Sequence, residues 1–270
     1  KKMKFQLKKI MAIMALVLVF ASCSKNEDPI NVITGEGRVG LEFDNVFGSS
    51  NLILNTQVNT TSQGEKLKIS ECKYIVSNIV LTKDDGSIYV YPKANSYFII
   101  DEAKETSRKI VLKSIPAGNY TKVTFGIGVD EAQFRLGATG QGDFLTQAQD
   151  AGMMWSWSAG YKFVMFEGMF TSPTATTDTS FMVHTGKIAA AYNYKEVTIN
   201  FPQNATVRTT ITPDVHIFAD VAKIIDGTNK IKLSDNNRNG MGAMIMGGAN
   251  LPLITSNLSE MFVVDHVHND

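Results

Sequence analysis

The chain has 270 residues, 44% of them hydrophobic, and its 26 Lys and Arg balance 26 Asp and Glu. That balance offers no basic patch for a nucleic-acid partner. Two cysteines exclude a disulfide-stapled scaffold, so a chain of this length relies on a hydrophobic core.

Lys1, Lys2, Lys4, Lys8 and Lys9 form a basic start, residues 10–20 an apolar run, and Phe20-Ala21-Ser22-Cys23 follows. The run is shorter than the roughly 20 apolar residues of a transmembrane helix. This pattern predicts a secretory signal peptide over residues 1–22. Cys23 then reads as the lipidated residue of a lipobox-like site, and ordinary secretion is the alternative. Residues 23–37 read as the lipidated Cys and a flexible tether, because Ser24-Lys25-Asn26-Glu27-Asp28-Pro29 has little to bury. Without the leader's five Lys, 21 basic residues face 26 acidic ones, a net charge near −5. A lipidated Cys23 leaves Cys72 without a partner, and Cys72 is then expected to be buried as a small apolar residue.

From residue 38 short apolar runs alternate with polar residues, separated by turns. Val39-Gly40-Leu41-Glu42-Phe43-Asp44 alternates. Residues 67–82 form a long β-compatible stretch, and Asp84-Asp85-Gly86 turns it into the run 88–91. Strands are expected at 97–100, 109–112 and 122–129, with Pro116-Ala117-Gly118-Asn119 as the turn before the last. Further strands are expected at 161–170, 181–184, 196–201, 206–211 and 215–219. Helix signals are few: residues 144–151, a turn at 220–225 ended by Gly227, and a helix start at Asn257-Leu258-Ser259-Glu260. The expected fold is all-β, a two-sheet antiparallel β-sandwich with long loops and one or two short helices, in one domain over residues 38–270. Residues 137–152 and 234–250 read as long loops, where function tends to sit.

Four His are present: His184, His216, His266 and His268. In an extended Asp265-His266-Val267-His268, residues i and i+2 project to one side, so both imidazoles reach one metal. Imidazole suits copper and zinc, and Asp265 is placed to orient a ring. A mobile polar tail is the plain alternative. His184, in Phe181-Met182-Val183-His184-Thr185-Gly186, is a ligand or a satisfied buried His. His216 faces the same choice, and the structural role is favoured there. Trp155 and Trp157, two apart, would point the same way from an extended backbone, either as core anchors or as a platform. Met241, Met244 and Met246 offer soft donors, although packing is the commoner use of Met. Enzyme motifs are absent: there is no nucleophile elbow, Walker loop, His-Glu-x-x-His or dinucleotide fingerprint.

The run 153–168, with Trp-x-Trp, Gly-Tyr-x-Phe and Glu-Gly, resembles the signature of the MbnP-like copper-binding proteins. So do Tyr74-Ile75-Val76-Ser77-Asn78-Ile79-Val80-Leu81-Thr82, Ile115-Pro116-Ala117-Gly118-Asn119-Tyr120 and residues 181–186. The ending Met261-Phe262-Val263-Val264-Asp265-His266-Val267-His268-Asn269 is similar to that of the family's lipoprotein branch. The resemblance spans roughly residues 38–270. It implies a β-sandwich at the outer membrane, on its periplasmic or cell-surface side, that captures copper, chiefly as Cu(I). It further implies imidazole ligands at His184, His266 and His268, with Trp155, or alternatively Trp157, oxidised to kynurenine by a partner of the di-haem peroxidase type. Some relatives place a His two residues after the modified Trp, where this chain has Trp157. The rival reading is a metal-free surface or adhesion module using the aromatic pair, and a third is an enzyme acting on surface polymers.

Overall fold

A computed structural model describes residues 33–189 and 191–270. The expected signal peptide at 1–22, Cys23 and most of the 23–37 tether lie outside the described residues. The folded unit runs from Thr34 to Asp270.

Sixteen strands follow one another: β1 (Glu36–Phe47), β2 (Ser50–Asn51), β3 (Asn59–Thr60), β4 (Lys66–Lys83), β5 (Ile88–Val90), β6 (Tyr97–Asp101), β7 (Lys109–Pro116) and β8 (Gly118–Ile127). After two short helices, α1 (Glu131–Phe134) and α2 (Phe144–Asp150), come β9 (Met154–Ser156), β10 (Gly160–Ser172), β11 (Ala175–Ile188), β12 (Ala191–Tyr192), β13 (Lys195–Val207) and β14 (Pro213–Asp220). Helix α3 (Lys223–Asp226), β15 (Ala243–Ile245), α4 (Asn250–Asn257) and β16 (Phe262–Asn269) complete the chain. Among the described residues, no helix is long and apolar enough to cross a membrane.

The strands form two sheets, as the alternation predicts. A five-stranded sheet has the order β16-β14-β1-β2, with β7 also paired to β1. An eleven-stranded sheet is built on the order β12-β11-β10-β4-β8-β13. Most pairs are antiparallel, but β1 and β14 run parallel, as do β11 and β15. A parallel pair needs a long crossover, and nearly the whole domain lies between β1 and β14.

Alternate residues of both sheets meet in one core. Leu41 and Phe43 of β1, Val215 and Ile217 of β14, and Phe262, Val264 and Val267 of β16 enter it with Phe166, Phe181 and Val183. At its centre Phe43, Tyr74, Phe125 and Phe262 pack edge to face, with ring centroids 5.2–6.2 Å apart. The Tyr74 hydroxyl, buried among them, donates to Asn45 Oδ1 at 2.9 Å. Cys72 is free and buried in this core, and burial pushes its thiol pKa up. A second cluster lies on the other side of the larger sheet, where α1, α2 and their loops cover Ile75, Val129, Tyr161, Phe163 and Met165.

Three local expectations are corrected. The strand expected at 206–211 ends at Val207. It continues the strand expected at 196–201, because pairing with β8 breaks between Asn200 and Ala205 and then resumes. Pro202 sits in that break, where no ladder donor is needed. Asn257 closes α4 and begins only a single 3-10 turn, Leu258–Glu260, and its side chain makes no capping hydrogen bond there. Its buried side chain instead accepts from the Asn229 backbone N–H at 3.0 Å and donates to the Asn229 carbonyl at 2.8 Å. The polar C-terminal tail is strand β16, paired along β14.

Replacing Phe262 with Ala removes the ring shared by three aromatic contacts and is expected to cost about 3–5 kcal/mol. Urea denaturation measures this, with Val263→Ala on the exposed side as the near-neutral control. Gly168→Ala is expected to cost about 1–3 kcal/mol or more. Its added methyl would strike the Lys68 carbonyl oxygen and meet Phe181 Cε1 at 2.9 Å; a thermal melt reads the loss.

Candidate metal centre

Strand alternation decides which side chains face out. Val215 and Ile217 point into the core, so His216 between them points away from it. Leu41 and Phe43 likewise leave Glu42 and Asp44 outside on the neighbouring β1, where Glu42 stands opposite His216 and Asp44 opposite Phe218. On the other flank His216 pairs with His266 of β16. The strand register therefore gathers β1, β14 and β16 side chains on one outward face.

A bulge completes the arrangement. His216 opposes His266 while Ile217 opposes Val264, so Asp265 is an extra residue in β16. Such an insertion re-aims the side chains that follow. Without it His266 and His268 would fall in the inward phase of Phe262 and Val264. With it they face outward beside His216, and Asp265 faces outward as well.

The three imidazoles form a compact group. His216 stacks on His266 with centroids 4.3 Å apart and planes 15° apart. His268 stands edge-on to both, at 5.3 and 4.6 Å. One nitrogen from each ring lies within 4.8 Å of the others. A second overlapping group joins His216 to Glu42 and Asp44: His216 Nε2 is 3.9 Å from Glu42 and Nδ1 is 3.7 Å from Asp44.

The hydrogen bonds fit a metal ligand set. Asp265 Oδ2 accepts from His266 Nδ1 at 2.6 Å, which leaves the lone pair of a neutral ring on Nε2. That Nε2 faces His268 Nε2 at 3.0 Å. Two imidazole nitrogens bound to one ion at a tetrahedral angle stand about 3.3 Å apart. The pair is thus spaced for a shared ion, and Asp265 is the carboxylate that commonly orients a ligating His.

His184 and Trp155 do not join this group. Phe181 and Val183 of β11 face the core, so His184 faces the opposite side, outward from the larger sheet. There its Nε2 lies 2.6 Å from Glu167 Oε1 on β10, and Trp155 packs against the ring at 6.1 Å between centroids. The expected set of His184, His266, His268 and Trp155 is split between the two outer faces of the sandwich. His216, for which a structural role was favoured, takes the third place in the exposed cluster. Its outward phase was readable from alternation in residues 213–219, but its pairing with β16 was not.

The two Trp also part company. Residues 157–159 form a turn, so the backbone is not extended across the pair. Trp155 covers His184, whereas Trp157 packs on Phe134 of α1 at 5.1 Å. Both are half-buried and share no flat platform. Met244 lies on β15, which pairs with β11 in the larger sheet, and Met241 and Met246 flank that strand.

His184 is 3% exposed, and its Nδ1 is buried without a hydrogen-bond partner. Burial lowers its pKa below the ordinary 6.5, assisted by the Lys162 charge and opposed by Glu167. A lowered His pKa means the unfolded chain takes up the proton first, so stability falls as pH drops below about 6.5 toward the folded value. Melting curves between about pH 7.5 and about pH 5.5 are expected to show this acid loss, and a His184→Gln variant a shallower one.

No match is found among curated proteins. Among solved structures, MbnP from Methylosinus trichosporium is similar at 15% identity and a TM-score of 0.48, over 80% of this chain and 82% of that one. The model of the MbnP family matches residues 36–245. The chain belongs to the MbnP family.

Proposed function

We propose that the protein is an exported, lipid-anchored copper-binding protein that captures the metal at His216, His266 and His268. The observation that carries this reading is the convergence of three imidazoles from two strands, with ligand nitrogens within 4.8 Å of one another. Imidazole is a good ligand for copper, and copper heads the order of divalent affinities at such sites. Membership of a family linked to copper supports that choice over zinc. The basic and apolar leader with Cys23 supports export and anchoring.

The ligand set proposed is built on the three imidazoles. Trp155 stands on the other outer face, so its oxidation to kynurenine would not place a donor at this ion. Asp265 orients His266, and the partial exposure of the cluster, greatest at His268, leaves solvent access for an incoming ion. Such a site suits uptake and release of metal.

Protein purified from copper-supplemented cells is expected to retain near-stoichiometric copper by ICP-MS. The His266→Ala/His268→Ala variant is expected to bind more than about 100-fold more weakly, and Trp155→Phe to bind as the parent does. Absence of retained copper, or unchanged binding in the double variant, overturns the proposal.

A further inference from the structure

The face that carries the imidazoles also carries charge, and the charge is mostly of one sign. Glu42 and Asp44 lie beside His216 at 3.9 and 3.7 Å. Asp265 pairs with His266 at 2.6 Å. Asp214, two residues before His216 on β14, shares its outward phase. Lys109 of β7 answers this group, 2.8 Å from Asp214 and 3.8 Å from Glu42. Four carboxylates thus stand against one ammonium around the three imidazole rings.

Soft donors are absent from the strands of this face. None of β1, β2, β7, β14 or β16 contains a methionine or a cysteine. The spacing of the two Nε2 atoms, 3.0 Å, also suits a bent arrangement. Two nitrogens in line across one ion would stand about 4 Å apart.

Resting on the copper reading above, we propose that this site holds the oxidised ion, Cu(II), in preference to Cu(I), and that Glu42 and Asp44 set that preference. Imidazole and carboxylate are donors for the harder, doubly charged ion, whereas thioether and thiolate select Cu(I). Net negative charge a few ångströms from the metal favours the higher charge by Coulomb attraction. Glu42 and Asp44 act as additional ligands or as close counter-charges, and either role stabilises the doubly charged state. The resemblance to copper-binding relatives implied Cu(I) through a soft or aromatic-amine donor; this face supplies neither.

The test uses the full chain loaded with copper sulfate in air, with total copper measured on the same sample. Cu(II) is expected to account for nearly all of that copper by spin integration of the EPR spectrum, with nitrogen superhyperfine lines. Retained copper that is EPR-silent, and extractable as Cu(I) by bicinchoninate, overturns the oxidation-state inference while leaving the copper reading intact. Absence of retained copper overturns both. In the Glu42→Gln/Asp44→Asn variant, chelator competition is expected to show Cu(II) affinity lowered about tenfold or more, with Cu(I) affinity changed much less. Equal weakening of both states, or of neither, overturns the role given to the carboxylates.

Discussion

Burial of alternate side chains between the two sheets is the constraint on which everything else depends. Phe43, Phe125, Tyr74 and Phe262 interlock edge to face at the centre of the core. A slip of one residue in any of their strands would expose an aromatic ring and bury a polar neighbour. The same register therefore fixes the outward set: Glu42 and Asp44 because Phe43 lies between them, His216 because Val215 and Ile217 flank it. The candidate metal-binding face follows from the packing of the core on its other side.

The two outer faces of the sandwich have different fates. On the larger sheet, α1, α2 and the turn after β9 cover the outer surface and create a second apolar cluster. Polar groups caught beneath that cover must find partners or lose their charge, which is why His184 sits against Glu167 with a lowered pKa. Among the described residues, the smaller sheet has no comparable cover over β14 and β16. Its polar side chains stay within reach of solvent, and the three imidazoles are half-buried or exposed there. One chain thus keeps one His as a buried partner and three as an accessible cluster.

Much of this was legible in the sequence. The long β-compatible stretch at 67–82, the run after its Asp-Gly turn and the strand at 161–170 all became strands near their expected bounds, since β-branched and aromatic runs bounded by turns leave few alternatives. Two features were not legible. The bulge at Asp265 is a pairing event between strands, and no local pattern announces it; read alone, the tail looks like a polar end. The grouping of His216 with His266 requires knowing that β14 and β16 are neighbours, although residues 221–261 separate them in the chain. The Trp-x-Trp spacing misled for a related reason. Spacing of two aligns side chains only along an extended backbone, and the turn at 157–159 sends Trp157 to Phe134 instead.

The position of the cluster also bears on how metal and stability are related. In small metal-dependent domains the ion supplies the folding free energy, and its removal unfolds the chain. Here the core contains the aromatic cluster and both sheets' inner faces, and none of the three imidazoles belongs to it. The scaffold is complete before any ion arrives, and β16 is held by its ladder to β14 and by Phe262, Val264 and Val267 inside. On the copper reading proposed above, binding energy at the outer face is not consumed in ordering the chain. On that same reading, a partly exposed cluster on a self-sufficient sandwich serves to handle an ion, whereas a buried one would serve to hold the fold.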